Sequence, residues 1–467
     1  MKRKETYLFS LLYLLAAALV LLFSNGTGDA GDSVQHHLLA RSAFAHPHLL
    51  LDLWGKPIYT LLSAPFAQWG FVGSQCFNVL VSLASLLLTL EVARYFRYPR
   101  PWLAALFLLA APYHIVLIFS GLTEPLFGLF LSAALYLGLC RDRWAWAVLL
   151  LSFMPFVRSE GMIMCGVFGL YLLWRRQWQL LPLFLVGHLF YSLIGGWVFG
   201  DFLWLFNKSP YAALHPYLES EAHWYDFAER LNYVIGIPLY GLLVLGLLSI
   251  LVKAYGKDYR NRTAEIVLIV GGFLAFFVAH SLFWTLGIFN SMGLKRVLVG
   301  VMPLVALMAL RGFHFVRFLA RRLPKLQRLL SYGVLGYVLI FPFTSNPAAL
   351  RLPEDFQLWP EQTLAHEVAE YIQKNELDQA QTRFFYTHPY LSMALSVDQY
   401  DPNRRLALDV LRQVEAHPGD LIIWDSWFAV ADSHLSLEQL QALRPLQVIE
   451  DFQNSDHRYV LLRPIPQ

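Results

Sequence analysis

Charged residues are scarce in this 467-residue sequence. Asp, Glu, Lys and Arg make up 15% of it and apolar residues 57%, whereas a soluble domain carries roughly 25% charged residues. This balance excludes an ordinary soluble enzyme and indicates that lipid is the solvent for much of the chain. Cysteine is scarce too. Cys76, Cys140 and Cys165 all lie in or beside apolar segments, and their odd number and irregular spacing exclude a disulfide framework and a cysteine zinc site.

Several other features are missing from the sequence. It has no internal repeats, which argues against the repeat-built folds of many transporters. It has no low-complexity tract, and no basic stripe interleaved with aromatic residues, so nucleic acid is not an expected partner. It also lacks a Gly-rich phosphate loop between a strand and a helix, the usual cradle of a nucleotide diphosphate.

Long apolar runs fill the first three quarters of the chain. Several approach the ~20 residues that a helix needs to cross the hydrocarbon core. They predict an α-helical polytopic membrane protein with about eleven transmembrane helices. The predicted spans are 6–23, 76–97, 102–120, 124–140, 144–157, 162–174, 180–199, 233–252, 264–288, 297–311 and 329–345. The first run follows Lys2-Arg3-Lys4 and has no small-x-small cleavage site after it, which favours an uncleaved first helix.

The distribution of Lys and Arg predicts the orientation. Cations concentrate in alternate loops, and cytoplasmic loops are the ones that carry this excess. The predicted cytoplasmic set is Lys2, Arg3, Lys4, Arg94, Arg97, Arg100, Arg141, Arg143, Arg175, Arg176, Lys253, Lys257, Arg260, Arg262, Arg311, Arg317, Arg321, Arg322, Lys325 and Arg328. The outer loops hold only Arg41, Lys56, Arg158, Lys208, Arg230, Lys295 and Arg296 before residue 346. We therefore expect a multi-pass protein of a cytoplasmic (inner) membrane, with its N-terminus in the cytoplasm.

Two domains are predicted. Residues 1–345 form the membrane domain, with a long first outer loop at 25–75, and residues 346–467 form an extracytoplasmic domain. In the second part charges return, turn signals appear, and short strand patterns alternate with helical stretches, which is typical of a small α/β domain. This domain could guide an acceptor or brace the first loop.

The predicted outer loops contain acids and bases that converge on one membrane face. Asp29 and Asp32 lie among glycines just after the first span, and these glycines predict a supple backbone. Glu124 opens the fourth span, Arg158 and Glu160 lie between two apolar runs, and Lys295-Arg296 precede a late span. Ionisable groups at membrane depth are costly and usually functional. Their convergence predicts a site for a charged lipid-phosphate substrate.

The first loop contains the motif Asp32-Ser33-x-x-His36-x-x-x-Ala40-Arg41, followed by Lys56-Pro57. This motif resembles the first-loop signature of the GT-C glycosyltransferases, most of all that of the protein O-mannosyltransferases and the lipid A aminoarabinose transferases. The family pattern is an Asp-Glu pair, an aromatic residue, Ala-Arg and then Lys-Pro-Pro. This chain departs from it at Ser33, His36 and Ile58.

Two later segments extend the resemblance. Thr123-Glu124-Pro125 is similar to the second-loop acid of the superfamily, and Ser291-x-Gly293-x-x-Arg296, leading to Pro303, is similar to an arginine segment of bacterial mannosyltransferase-like members. The resemblance implies an inverting enzyme that takes a sugar, for example mannose, from a polyprenyl-phosphate donor. The acceptor would be a glycan, a lipid or a protein.

That chemistry suggests roles for the candidate residues. An attacking hydroxyl must lose a proton to a positioned carboxylate, and Asp32 is the candidate base, with Asp29 the alternative. Glu124 would orient the acceptor or bind a divalent metal such as Mg²⁺ or Mn²⁺. Cations would meet the leaving phosphate. The candidate donor-binding residues are Lys56, Arg158, Arg296, Lys295, His36, Arg41 and Glu160.

The sequence is also compatible with purely structural roles for these residues. Arg158 and Lys295 could interact with lipid headgroups, Glu160 could form a structural ion pair with Arg158, and Glu124 could be a helix N-terminal acid. His36 and His37 have no metal-ligand spacing. A transporter or flippase of lipid-linked sugars and a non-catalytic assembly factor are the alternatives to an enzyme.

Overall fold

The computed structural model describes residues 3–210, 222–252, 261–289 and 291–465. Its first part is helical. The helices of the N-terminal half are α1 (Arg3–Phe23), α2 (Asp32–Ser42), α3 (Pro57–Ala67), α4 (Phe71–Tyr95), α5 (Trp102–Leu109), α6 (Pro112–Ile118), α7 (Glu124–Leu135), α8 (Trp144–Ser152), α9 (Gly161–Trp174) and α10 (Val186–Phe199). They are followed by α11 (Trp204–Asn207), α12 (Asp226–Leu251), α13 (Arg262–Ala264), α14 (Gly272–Leu286), α15 (Met302–Leu319) and α16 (Pro324–Ile340).

Seven helices of the described part are long and apolar enough to cross a membrane. They are Thr6–Phe23, Phe71–Tyr95, Trp178–Phe199, Asp226–Leu251, Arg262–Leu286, Lys295–Leu319 and Pro324–Phe343. Three shorter apolar helices lie at Glu124–Cys140, Trp144–Phe156 and Gly161–Trp174. The helices are those of a multi-pass membrane protein, and the count of about eleven spans stays a prediction.

Proline and glycine explain where the predicted spans differ from the helices. The segment predicted at 102–120 is two helices, because Ala111 is extended in front of Pro112, the first residue of α6, and a residue before proline disfavours the helical conformation. In α12, Gly236 has a φ of +75° two residues before Pro238. The span predicted at 233–252 begins three residues before this kink and leaves out the first turns of the helix, which starts at Asp226.

The predicted first loop, 25–75, is largely helical. It contains α2, α3 and a 3₁₀ turn at Pro47–Leu51, and α4 begins at Phe71. Val34 and Leu38 on α2 belong to one apolar cluster with residues of the C-terminal domain, such as Leu364 and Leu391. The loop is thus a folded layer between the membrane helices and that domain.

The C-terminal domain is built on a mixed sheet. Its elements are α17 (Pro360–Lys374), β1 (Phe384–Phe385), α18 (Tyr390–Ala394), β2 (Arg405–Leu406), β3 (Leu421–Asp425), α19 (Phe428–Ala431), α20 (Leu437–Leu443), β4 (Leu446–Gln453) and β5 (Arg458–Pro464). The strand order is β2-β1-β3-β5-β4. β1 is parallel to β2 and β3, whereas β5 is antiparallel to β3 and β4. The predicted small α/β domain is present.

A buried charged cluster lies within the helical bundle. Arg311 was predicted in a loop, but it lies within α15, is 2% exposed and has its Nη1 2.5 Å from Glu265 Oε1. Tyr98 donates a hydrogen bond to the same carboxylate. A buried charge needs a partner, so this pair braces α15 against the π-helical turn at Glu265–Gly271. Lys253, Lys257 and Arg260 lie outside the described residues.

Candidate active site

Two aspartates lie at the junction between α1 and α2. Asp29 precedes α2, and Asp32 is its first residue. The supple backbone predicted here is wrong. Gly28 has a φ of +83°, and a Cβ on it would lie 2.5 Å from Ser120 Cβ, while a Cβ on Gly31 would lie 2.6 Å from Phe428 Cζ. The glycines allow close packing on both sides, and this packing fixes the aspartates.

Arg296 binds three carboxylates at once. It lies in the 3₁₀ segment Lys295–Val301 that leads into α15. Its Nη1 pairs with Asp29 and its Nη2 with Asp32, while its Nε lies 3.4 Å from Glu124 Oε1. A planar guanidinium suits such multiple contacts. The late arginine segment thus meets the first loop and the second-loop acid.

Glu124 joins Arg296 to a second arginine. It is the first residue of α7, its side chain is 0% exposed, and its Oε1 lies 2.6 Å from Arg158 Nη1. Arg158 also donates to Thr123 Oγ1 and to Glu160 Oε1, each at 2.9 Å. The predicted ion pair between Arg158 and Glu160 is therefore present. The break between α8 and α9 places it within the same row of charges.

Lys56 extends this row. It precedes α3 with a φ of +65°, is 7% exposed, and its Nζ donates to Ser159 Oγ at 3.1 Å. Burial lowers the pKa of Lys56 to about 7, although the carboxylate of Glu160 opposes the shift. An arriving phosphate would favour the charged form of this amine.

The two aspartates differ in exposure and in pKa. The side chain of Asp29 is 13% exposed and that of Asp32 is 41% exposed. Burial raises the pKa of Asp29 to about 6, against the influence of Arg296. For Asp32 burial acts in the same direction, but the contacts with Arg296 outweigh it and the pKa lies below its usual value. Asp32 is thus the more accessible carboxylate and the one that stays ionised to lower pH.

Two predicted site residues, Lys295 and Arg41, lie apart from this row, whereas His36 is near enough to Asp32 and Arg296 for their charges to act on its pKa. Lys295 places its Nζ 4.5 Å from the centre of the Tyr113 ring. Arg41 is exposed in the last turn of α2, about 13 Å along the helix from Asp32. His36 is 7% exposed and stacks on Trp54 with ring centroids 4.7 Å apart. Burial lowers the pKa of His36 to about 3, so its ring is neutral at pH 7.

The carboxylates of this site are arranged around an arginine rather than as the ligands of a metal ion. In the described part of the chain no group of three or more His, Cys, Asp and Glu residues could hold a metal. Asp29, Asp32 and Glu124 do converge, but Arg296 contacts all of them. The guanidinium already supplies positive charge to these carboxylates. A requirement for Mg²⁺ or Mn²⁺ stays a prediction.

The sequence reasoning missed two residues that support the site. His280 on α14 lies with its Nε2 3.9 Å from Glu160 Oε1. A histidine inside an apolar span was the available signal. Gln362 on α17 is 0% exposed and donates to the carbonyl oxygens of Asp29 at 3.1 Å and Ala30 at 2.9 Å. No local pattern marks Gln362, because its partners are more than 330 residues away.

Solved structures with a similar fold are known. This chain is similar to ArnT from Cupriavidus metallidurans bound to undecaprenyl phosphate, with a TM-score of 0.64 and 13% sequence identity over 97% of this chain and 98% of that one. The apo state of the same ArnT gives a TM-score of 0.63 and 14% identity over 97% of both chains. No family profile and no curated protein sequence matches this chain. The GT-C resemblance is confirmed for the fold.

Proposed function

We propose that this protein is an inverting glycosyltransferase that moves a sugar from a polyprenyl-phosphate donor to an acceptor hydroxyl at the outer face of a cytoplasmic membrane. The observation that carries the proposal is the joint coordination of Arg296 by Asp29, Asp32 and Glu124, with Asp32 the most exposed of the three. A base and a phosphate-binding cation are thereby held side by side.

The cations stabilise the leaving group. As the bond from C1 of the sugar to the phosphate oxygen breaks, the polyprenyl phosphate leaves with the electron pair and its charge grows. Arg296, Arg158 and Lys56 form a row that can meet this charge, and electrostatic stabilisation of this kind is a large part of most catalysis. Glu124 and Glu160 hold the two arginines in place.

Asp32 acts as the base. The acceptor oxygen attacks C1 from the side opposite the phosphate, which inverts the configuration, and its proton passes to the Asp32 carboxylate. The phosphate competes for Arg296, so donor binding weakens the contact that lowers the pKa of Asp32. The base becomes stronger when the donor is in place. Asp29 keeps Arg296 anchored during the exchange.

A lipid-linked donor fits this site better than a soluble nucleotide sugar. The charged row lies where apolar helices end, so a prenyl chain can lie among these helices while its phosphate reaches Arg296. The similar fold of ArnT, whose structure contains undecaprenyl phosphate, favours the same donor class here. The sugar and the acceptor are to be found by experiment.

Replacing Asp32 tests the mechanism. Asp32→Asn should lower turnover by at least ~10²-fold, the usual contribution of a general base, while binding of the donor persists. The assay uses purified protein with radiolabelled polyprenyl-phosphate sugars and, in parallel, nucleotide sugars. The matched control is Asp398→Asn, because Asp398 is 39% exposed and pairs with His46 away from Arg296.

Two outcomes would contradict the proposal. Wild-type turnover in Asp32→Asn would transfer the role of base to Asp29 or Glu124. Transfer from nucleotide sugars alone would overturn the lipid-linked donor. A flippase or an assembly factor would show no transfer from any donor, even with intact Asp32.

A further inference from the structure

A groove of about 360 Å³ lies in the C-terminal domain. It is bounded by the turn after β3 and by the turn between β4 and β5. Its volume is within the range of small-ligand sites, about 300–1,000 Å³. The residues that line the groove are Ser426, Trp427, Val430, Ala431, Asp456 and His457.

An aromatic wall dominates this groove. Trp427 is 41% exposed, and the ring of His457 stacks on it at 17° with centroids 5.7 Å apart. The turn that carries the indole is fixed, because the Asp425 carboxylate accepts from the backbone N–H of Trp427 at 3.0 Å and of Ala429 at 3.2 Å. An exposed indole held in one position is a preorganised binding surface.

The rest of the lining is polar. Asp456 presents an exposed carboxylate at the hairpin turn, and the imidazole Nε2 of His457 lies 3.5 Å from Glu361 Oε2. A pyranose ring has an apolar C–H face and a rim of hydroxyl groups. The indole face matches the first of these and the carboxylate and imidazole match the second, since both can hydrogen-bond to hydroxyls.

The chain segment that lines the groove also packs against the charged site. Phe428, next to Trp427, packs against Gly31 between the two aspartates. Asp432 follows the lining residue Ala431, and its pKa is raised by burial and by the charge of Asp32. One turn of chain, 426–432, therefore borders both the groove and the carboxylate that we assign as the base.

Because this one segment borders both the groove and Asp32, we propose that the groove binds a saccharide unit of the acceptor and presents its hydroxyl to Asp32. The inference rests on the proposed function and adds the chemical class of the acceptor. It also gives the C-terminal domain two tasks, because the domain holds the first loop through Gln362 and binds the acceptor through Trp427.

The test separates acceptor binding from donor chemistry. Membranes of the source organism lacking this gene supply the acceptor, and purified full-length variants are added with a radiolabelled polyprenyl-phosphate sugar that the wild type uses. Two products are counted, the labelled acceptor and the free sugar released when water takes the acceptor's place. Trp427→Ala should lower acceptor labelling at least tenfold and leave free-sugar release unchanged.

Further variants guard against a folding defect. Trp427→Phe should restore at least half of the labelling, because it keeps an aromatic face. Val430→Arg should block the groove, since Val430 is 44% exposed at its rim. The control is Val448→Ala, which changes a 46% exposed residue of β4 outside the groove. Periodate treatment of the membranes, which cleaves vicinal diols, should abolish labelling, whereas protease treatment should not.

Three other results would each contradict one part of the proposal. Unchanged labelling in Trp427→Ala and Val430→Arg, or an equal fall of both products, overturns the groove as an acceptor site and leaves the proposed function intact. Loss of labelling after protease alone overturns the saccharide. Absence of transfer by the wild type from every lipid-linked donor overturns the proposed function, and this inference with it.

Discussion

At the scale of single residues, Arg296 is shared between Asp29 and the donor phosphate. Donor binding therefore depends on pH. The pKa of Asp29 is about 6, above the usual 3.8, because of burial. Asp29 is therefore protonated below about pH 6 and charged above it. A donor phosphodiester keeps one negative charge throughout this range, so its repulsion by Asp29 disappears as the pH falls.

We accordingly expect donor binding to tighten about tenfold between pH 7.5 and 5.5, which equals about 1.4 kcal/mol of repulsion removed. In Asp29→Asn the pH dependence should be smaller, because the amide carries no charge and only the protonation of Lys56, whose pKa is about 7, still changes in this range. Titration of the wild type and Asp29→Asn with a non-hydrolysable phosphodiester analogue measures this. The same pH slope in both proteins would show that another group is responsible.

The guanidinium of Arg296 should not be replaceable by an amine. Lysine keeps the charge but cannot bind three carboxylates and a phosphate in one plane. Arg296→Lys should raise the Kd of the donor at least ~10-fold, since a charge-assisted hydrogen bond contributes about 1.5–3 kcal/mol. Arg322→Lys is the control, because Arg322 is exposed. Equal Kd values for the two variants would leave only nonspecific lipid electrostatics.

At the scale of elements, α17 and α2 together hold the segment 29–32, which carries the two aspartates of the candidate site. Gln362 donates to two carbonyl oxygens of the Asp29-Ala30 segment and accepts from Thr27 Oγ1 at 3.0 Å. Removal of the amide would take away its bond to the Ala30 carbonyl oxygen, whereas the Thr27 hydroxyl still donates to the Asp29 carbonyl oxygen at 2.6 Å. An unsatisfied buried group costs about 1–3 kcal/mol.

Gln362→Ala should therefore lower both the melting temperature and the turnover, because Asp29 and Asp32 lose their support. Gln373→Ala, on an exposed position of the same helix, should change neither. Differential scanning fluorimetry and the transfer assay provide the two measurements. A fully active and fully stable Gln362→Ala protein would show that α2 keeps its position without α17.

At the scale of the whole molecule, the charge asymmetry and the two clusters of buried ions predict one orientation. The Asp32–Arg296 row would face outwards and the Glu265–Arg311 pair would lie near the cytoplasm. Reporter fusions at residue 320 should be cytoplasmic and at residue 400 exterior, because the predicted spans are odd in number and would place the C-terminal domain opposite to a cytoplasmic N-terminus. Both reporters on one side would contradict the count of spans.

The sequence by itself determined the class of the molecule. Lipid as solvent forces long apolar helices, so composition and run length were enough to predict a polytopic helical protein with a small α/β domain. The resemblance of Asp32, Lys56-Pro57 and Arg296 to GT-C motifs was enough for the fold. Ionisable residues in apolar surroundings stand out in any sequence. The sequence alone was therefore enough to predict Glu124, Arg158 and Glu160 as site residues.

Only the tertiary structure decided how these residues combine. Lys295 and Arg296 are neighbours in sequence, yet one lies on Tyr113 and the other among three carboxylates. Arg41 belongs to the motif but is exposed in the last turn of α2, and Gln362 supports the site from α17. Such outcomes depend on long-range packing. Three segments that are distant in sequence form the site: the first turn of α2, the start of α7 and the residues before α15. They meet only when the helical bundle and the C-terminal domain have folded together.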